Sequence, residues 1–194
     1  MDNGQLAEKA IGYITELYRG NSDGHDLEHS LRVYHTAMKI AANYSGCDMT
    51  VVALGALLHD VDDHKLFNTE NNANARKFME CNNVTGAKAD EICEVINSVS
   101  FSKNKDRDPA TLEGKIVRDS DRLDAMGAVG IARTFAYGGK NGRSLDDSVQ
   151  HFYDKLLLLK DLLYTDEAKR MGEERYQFLT GFLEEYKKEI EELN

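Results

Sequence analysis

A continuous apolar run at residues 51–58 is the sequence feature that most constrains the fold of this chain. As a helix, the run is apolar nearly all round, and a helix of this kind has to be surrounded by protein. The run is far too short to cross a bilayer. We therefore expect a central core helix from about Thr50 to His59.

Apolar periodicity divides the rest of the chain into further helices with clear stops. No segment shows the alternating β-branched pattern of a sheet, so the predicted fold class is all-α. We expect the helix near 111–137 to kink around Gly127 or Gly130, and we expect a loop at 138–143. The other predicted helices cover about 6–17, 26–44, 69–81, 86–99, 146–163 and 166–192.

Composition restricts the class of protein and the compartment. The chain has 194 residues, 41% hydrophobic and 30% charged, which suits one soluble domain. A net charge of −10 argues against a nucleic-acid polymer as partner, because binding one needs a basic face. Three cysteines without CxxC spacing indicate reduced thiols. The start, MDNGQLAEKA, has no leader-like pattern, so we expect a cytoplasmic protein without membrane attachment.

Two metal-binding side chains, His59 and Asp60, stand side by side at the end of the apolar run. His29 lies 30 residues upstream on another predicted helix, and an acidic cluster follows about 60 residues downstream. Imidazoles and carboxylates from three helices can converge on one divalent cation. The His-Asp dipeptide alone carries little information, since His25-Asp26 is a second copy. The acidic cluster comprises Asp119, Asp121 and Asp124.

Three segments together resemble the motifs of the HD superfamily of metal-dependent phosphohydrolases, and most closely those of its small bacterial stand-alone members. The segments are HDLEHSLRV, ALLHDVDDHK and VRDSDRLDAMGAVGIAR. The resemblance spans roughly residues 23–140. It implies a single HD domain over residues 1–194, an all-α helical bundle with additional C-terminal helices at about 146–192.

The resemblance carries the family's metal ligands over onto His29, His59, Asp60 and Asp121. His29 precedes the sequence Ser-Leu-Arg-Val, as the first histidine of the family precedes a similar run. Asp121 is the aspartate before Arg-Leu. Asp124 shares a helix face with Asp121, where it can hydrogen-bond a ligand or a nearby water. Asp119 lies about 200° away from Asp121 around the helix.

The ligand count favours one metal ion. HD enzymes with two metals, and the di-iron HD oxygenases, use further histidines between the central pair and the last aspartate, and His64 is the only histidine in that interval here. We therefore expect one divalent ion bound by two histidines and two aspartates. Mixed imidazole and carboxylate donors suit Mn²⁺, Co²⁺, Ni²⁺, Fe²⁺ or Zn²⁺, and Mg²⁺ is a further candidate.

Hydrolysis also needs a group that orients and deprotonates water. Asp63 matches an acidic position of HD phosphohydrolases, and we predict it as general base or water-positioning residue. Asp62 is the rival, and a solvated turn carboxylate is the alternative for either residue. His25 is predicted to bind substrate or donate a proton, and the alternative is a structural role at the start of the helix.

Four cations are predicted to bind phosphate: Lys65, Arg32, Arg122 and Lys140. The first three lie close in sequence to the ligand positions, and Lys140 lies in the glycine-rich loop. That loop has no GK[ST] sequence, so it is not a P-loop, and we interpret it as a lid or specificity loop. For each cation a surface ion pair is the alternative, as between Glu28 and Arg32 at four-residue spacing.

The resemblance thus implies a metal-dependent phosphohydrolase that acts on a nucleotide or a related small phosphorylated molecule. A nucleoside triphosphate cleaved to monophosphate and pyrophosphate is the first choice, and a nucleoside 5′-monophosphate or a phosphodiester is the alternative. An HD-type oxygenase and a non-catalytic helical binding protein are less favoured. The leucine-rich final helices are compatible with a monomer or a homodimer.

Overall fold

The apolar run forms helix α3, Met49–Leu58, in which every residue from Val51 to Leu58 is buried. Asp48 begins the helix, because its carboxylate accepts hydrogen bonds from the backbone N–H groups of Thr50 and Val51. The same carboxylate forms an ion pair with Lys88 at 2.7 Å. The predicted central helix is therefore confirmed, and His59 follows it directly.

The computed structural model describes residues 3–19, 27–64, 66–100, 104 and 107–191. These described residues form α-helices and one 3₁₀ helix, and none of them lies in a β-strand. The all-α prediction is confirmed. Besides α3, the elements are α1 Asn3–Leu17, α2 Leu27–Ala41, α4 Ala73–Cys81, α5 Ala87–Val99, α6 Leu112–Asp124, α7 Gly127–Lys140, α8 Leu145–Asp154, the 3₁₀ helix Leu156–Leu162 and α9 Asp166–Glu191.

The chain divides into two compact units, Met1–Asp121 and Arg122–Asn194. In the first unit α3 is central and packs against α1, α2 and α5, while α4 packs on α5. In the second unit α7 packs against α8 and α9, and the 3₁₀ helix contacts α8 and α9. The single domain over residues 1–194 stays a prediction.

Aromatic side chains form the centre of the second unit. The rings of Phe135 and Phe182 each lie about 6 Å from the fully buried ring of Phe152, and Tyr186 extends the cluster along α9. These contacts join α7, α8 and α9. The two final predicted helices are therefore held by their own core.

The predicted helix at 111–137 is in fact two helices. Helix α6 ends at Asp124, and α7 begins at Gly127, whose φ of +67° lies in the left-handed region that glycine adopts without strain. The predicted helix at 146–163 is also divided, because Lys155 leaves helical geometry after α8 and the 3₁₀ helix follows. The predicted loop at 138–143 is shorter, since α7 continues to Lys140.

None of the helices in the described part of the chain combines the length and the apolar character that crossing a membrane requires. The longest is α9, whose residues are largely charged. Its burial is confined to one stripe that includes Ala168, Gly172, Leu179 and Leu183. This is the pattern of a helix that lies on a core.

Candidate metal centre

Two buried histidines face each other in the first unit. The first turn of α2 carries His29, and the residue after α3 is His59. Their Nε2 atoms are 3.2 Å apart, and only 2% of each side chain is exposed. Two ring nitrogens this close repel each other unless a proton or a cation lies between them. The pair is therefore a site for positive charge.

Two carboxylates complete the cluster. Oδ2 of Asp60 lies 3.5 Å from Nε2 of His29 and 3.2 Å from Nε2 of His59. Oδ1 of Asp121, near the end of α6, lies 3.3 Å and 3.9 Å from the same two nitrogens. The potential donor atoms of His29, His59 and Asp121 all lie within 4.8 Å of one another. The structure thus brings together all four residues that the sequence predicted as ligands.

The donor set fits a divalent transition-metal ion. Nδ1 of His59 lies 2.7 Å from the carbonyl oxygen of Ala56, so Nδ1 carries the proton and Nε2 keeps its lone pair. Metal bonds of about 2.0–2.2 Å place neighbouring donor atoms roughly 3–3.5 Å apart. The separations of 3.2–3.9 Å between nitrogens and oxygens are close to that spacing. Imidazole with carboxylate is also a usual set for these metals.

The charges in the cluster set the protonation state of the metal-free protein. Burial lowers the pKa of His59, but the carboxylates of Asp60 and Asp121 and the bond to the Ala56 carbonyl outweigh it and raise the pKa to about 9. Burial raises the pKa of Asp121, but His29 and His59 outweigh it and hold that pKa below its ordinary value. A metal ion therefore has to displace a proton from His59 near neutral pH.

Asp62 and Asp63, the two aspartates considered as general base, lie in the turn after α3 and differ in their contacts. The carboxylate of Asp62 accepts hydrogen bonds from the backbone N–H groups of Asn74 at 2.9 Å and Ala75 at 3.1 Å. It therefore holds the start of α4. The Asp63 side chain is 19% exposed, and its N–H donates to the carbonyl of Asp60 at 3.0 Å. The water-positioning role of Asp63 stays a prediction.

Two predicted site residues, His25 and Lys65, lie outside the described residues. Their roles stay predictions. Arg32 lies on α2, three residues after His29, and is half-buried. Arg32, a predicted phosphate-binding residue, thus lies on the helix that carries His29.

The remaining predicted residues belong to the second unit. Arg122 is 7% exposed, its guanidinium donates to the carbonyl of Leu162, and it lies 5.2 Å from the centre of the Tyr164 ring. Asp124 is 4% exposed and accepts a hydrogen bond from Arg133. Phosphate binding by Arg122 and hydrogen bonding by Asp124 to the metal site stay predictions. Lys140, the last residue of α7, is exposed, and its phosphate-binding role also stays a prediction.

Sequence analysis missed two buried hydroxyl groups in the first unit. Tyr18 follows α1 and is 4% exposed, and Ser30 follows His29 and is fully buried. Neither hydroxyl oxygen has a hydrogen-bond partner among the described residues. A tyrosine and a serine at helix ends carry no sequence signal of function, so only the packing identifies them.

Comparison with known proteins places the cluster in a family. The family model of the HD domain matches residues 26–126, more than half of the chain, and these residues include all four candidate ligands. The chain belongs to the HD family. The sequence-based resemblance to the HD superfamily is confirmed.

Relatives of this HD protein extend over nearly its whole length. YpgQ of Bacillus subtilis is 35% identical over 192 residues, covering 95% of this chain and 93% of YpgQ. The crystal structure of YpgQ in complex with ADP has a TM-score of 0.82 at 34% identity, covering 95% of this chain and 97% of that one. An HD-superfamily hydrolase from Bacillus thuringiensis has a TM-score of 0.80 at 34% identity, covering 98% and 99%. The chain is an HD-superfamily hydrolase.

Proposed function

We propose that this HD hydrolase uses one divalent metal ion to cleave a phosphoanhydride or phosphoester bond of a nucleotide. The observation that supports it most directly is the convergence of two buried imidazole nitrogens, 3.2 Å apart, with two carboxylate oxygens that each lie 3.2–3.9 Å from both nitrogens. The ligands come from α2, from the turn directly after α3 and from α6. A cluster of this composition is suited to a Lewis-acidic divalent metal ion.

A nucleoside triphosphate cleaved to a monophosphate and pyrophosphate is the reaction that we favour. YpgQ, 34% identical, has a crystal structure in complex with ADP, a nucleotide with a phosphoanhydride bond. That complex favours a polyphosphate chain over a 5′-monophosphate as ligand of this chain as well. The net charge of −10 is compatible with such an anion because the local field of a dication dominates within a site.

The ligands of the ion would be His29, His59, Asp60 and Asp121. When bound, a divalent ion supplies positive charge that polarises a phosphoryl oxygen and makes water more acidic. Asp63 then accepts a hydrogen bond from the attacking water and takes its proton as the new P–O bond forms. The bond between the α- and β-phosphates breaks, and pyrophosphate leaves with the electron pair.

Charge on the phosphate groups has to be balanced by cations of the chain. The candidates are Arg32, Lys65, Arg122 and Lys140. Arginine suits this role because its planar guanidinium binds two phosphate oxygens at once. In the proposed mechanism such cations bind and orient the substrate, whereas Asp63 handles the proton.

A metal-by-substrate screen tests the proposal. Purified protein is stripped of metal, reloaded with Mn²⁺, Co²⁺, Ni²⁺, Zn²⁺ or Mg²⁺, and offered nucleoside tri-, di- and monophosphates. We expect pyrophosphate release from a triphosphate with at least one metal, and its loss in His59→Ala. Phosphate release from monophosphates alone would show that the substrate is a nucleoside 5′-monophosphate and not a triphosphate. Preference for oligonucleotides, or no hydrolysis with any metal, would overturn the proposal.

A further inference from the structure

Arg175 of α9 lies against the junction of α6 and α7. Its guanidinium donates a hydrogen bond to the carbonyl of Leu123, near the end of α6 and 52 positions away along the chain. Its side-chain stem packs over Gly127, the first residue of α7, where an added Cβ would lie 3.1 Å from Cγ and 3.3 Å from Cβ of Arg175. Arg175 thus contacts both sides of the junction, and its partner Leu123 is two residues after Asp121.

This contact supplies what the end of a helix needs. The last four carbonyl groups of an α-helix have no partner within the helix, and the negative end of the helix dipole favours a cation. Arg175 meets both needs, because its guanidinium is a permanent cation whose hydrogen bond to a carbonyl is charge-assisted. The N–H of Met126 also donates to the carbonyl of Leu123, at 3.0 Å. The end of α6 is therefore capped at Leu123.

Two further arginines fix the residues on either side of Leu123. The guanidinium of Arg122 donates to the carbonyl of Leu162, and Arg133 of α7 donates to the carboxylate of Asp124. Each of the three residues that end α6 therefore takes part in an arginine contact. These residues and their partners belong to the second unit, and Asp121 precedes them directly in the same helix.

A metal ligand in the last turn of a helix depends on how well that turn is fixed. Oδ1 of Asp121 lies 3.3 Å from Nε2 of His29 and 3.9 Å from Nε2 of His59. Binding groups have to be held within about 0.5 Å of the productive geometry, whereas uncapped helix ends fray. Fraying of the last turn would move the carboxylate relative to both imidazoles.

We propose that Arg175 is a positioning residue for the metal centre: by capping the last turn of α6, it fixes the place of the Asp121 carboxylate. This inference rests on the proposed function, in which Asp121 is a metal ligand. Arg175 touches neither the metal nor the substrate in this arrangement. Loss of a group that orients a ligand typically lowers metal affinity by about 10–100-fold. We expect the lower end of that range, because Arg175 acts on the helix and not on the carboxylate itself.

Arg175→Met is the variant that tests the inference, because methionine keeps an unbranched stem over Gly127 and removes the donor. Metal-free protein is titrated with Co²⁺, and affinity is measured by calorimetry while the visible absorption spectrum reports the ligand geometry. We expect the dissociation constant to rise by about 10-fold and the spectrum to change. Arg170→Met is the matched control: Arg170 lies on the same helix, but its exposed guanidinium pairs with Glu167 at 2.8 Å and Glu174 at 2.7 Å. Its Co²⁺ affinity should equal that of the wild type.

A double-mutant cycle with Asp121→Asn shows whether Arg175 acts through that ligand. Asp121→Asn leaves three predicted ligands in place, and we expect it to bind Co²⁺ more weakly than the wild type. If Arg175 acts by positioning Asp121, adding Arg175→Met to Asp121→Asn should cost less affinity than Arg175→Met costs alone. Losses that add in full would show that Arg175 acts independently of Asp121 and would overturn the inference.

A purely structural role gives a different result. Arg175→Met would then lower the melting temperature and leave the Co²⁺ affinity and spectrum unchanged, which overturns the inference. Phe182→Leu is the control for stability, because it removes the ring contacts with Phe135 and Phe152 and should lower the melting temperature without affecting Co²⁺. Equal losses of affinity in Phe182→Leu and Arg175→Met would also overturn the inference.

Arg175→Lys replaces Arg175→Met if the latter fails to fold. Lysine keeps the charge but lacks the planar guanidinium. Weaker Co²⁺ binding is expected, and unchanged binding overturns the proposal.

The metal titration also separates this inference from the proposed function. It uses no substrate, so it gives a result even if the wild type hydrolyses no nucleotide. Weakened Co²⁺ binding in Arg175→Met together with an inactive wild type would support the positioning role and reject the hydrolytic function. Normal nucleotide hydrolysis and metal binding in Arg175→Met would do the reverse. Wild-type Co²⁺ affinity in Asp121→Asn would remove Asp121 from the ligand set and overturn the positioning role with it.

Discussion

Among single residues, His59 shows how a helix end prepares a metal ligand. The last carbonyl groups of a helix have no partner within the helix, and the ring of His59 takes one of them, since its Nδ1–H donates to the carbonyl of Ala56. The bond fixes the tautomer and turns Nε2 towards His29 at 3.2 Å. A histidine directly after a buried helix is therefore oriented by the backbone of that helix.

The neighbouring carboxylates of Asp62 and Asp63 differ in what they contact. Because Asp62 is engaged with the start of α4, we expect Asp63→Asn to reduce kcat by roughly 10²–10⁴-fold, the usual range for losing a general base. Metal content, measured by elemental analysis, should stay at the wild-type value. Asp63→Asn keeps the size of the side chain, so the effect reports on the lost charge.

Asp62→Asn is the matched control for that experiment. It replaces one of the two oxygens that accept hydrogen bonds from the start of α4, and the lost bond costs about 0.5–1.5 kcal/mol, which thermal unfolding detects. It should leave kcat within a few-fold of the wild type. Near-normal turnover in Asp63→Asn with loss of turnover in Asp62→Asn would reverse the two roles. Near-normal turnover in both variants would indicate that His25, or water without a protein base, takes the proton.

Among the secondary-structure elements, the junction of α6 and α7 departs most from the sequence-based prediction. Apolar periodicity continues through residues 111–137 and predicts one kinked helix, because periodicity records only which faces are apolar. The break depends on Gly127 at φ +67° and on Gly130, where an added Cβ would lie 2.2 Å from the carbonyl oxygen of Ala125. Both glycines permit a close backbone turn directly after the helix that carries Asp121.

Gly130→Ala should therefore destabilise the second unit by about 1–3 kcal/mol, the usual range for overpacking. Denaturant unfolding followed by circular dichroism measures the loss. Gly139→Ala provides the control, because it lies on the same helix and a Cβ there meets nothing within 4 Å. That control should be neutral or more stable by up to about 1 kcal/mol. Equal stability of the two variants would show that the junction tolerates a side chain at residue 130.

At the scale of the whole molecule, the candidate metal centre joins helices that are distant in sequence. His29, His59 and Asp121 come from α2, from the end of α3 and from α6, so an ion bound to all three would stabilise the folded first unit by mass action. The stabilisation is about 2.7 kcal/mol when free metal is 100 times its dissociation constant. A chelator should remove it.

This stabilisation should depend on pH through His59. In the metal-free protein the pKa of His59 is raised to about 9, so the protonated histidine stabilises the fold below its ordinary pKa of about 6.5, and that contribution is lost as pH rises through 9. Metal binds the neutral ring, so the difference in melting temperature between metal-loaded and chelator-treated protein should widen from pH 6.5 to 9. Scanning calorimetry measures it; a difference that is constant or shrinks over this range would exclude His59 as a ligand.

The sequence by itself determined the all-α class, the buried core helix, the HD family and the four residues that meet in the cluster. The class and the core helix follow from local properties, because an apolar run needs burial on every side. The family and the four residues follow from the resemblance of three motif segments to the HD superfamily. Each can be recognised without knowing what packs against it.

Only the tertiary structure decided which of the neighbouring aspartates caps α4, where α6 ends, and that the hydroxyls of Tyr18 and Ser30 are buried. Asp62 is recognised as a cap through Asn74, twelve residues away, and the packing of Tyr18 is recognised through its ring contact with Phe67. Such roles depend on which distant groups share a low-dielectric environment, and there an unpaired polar atom is costly. Spacing along the chain does not contain that information, because the partners are selected only when the helices pack.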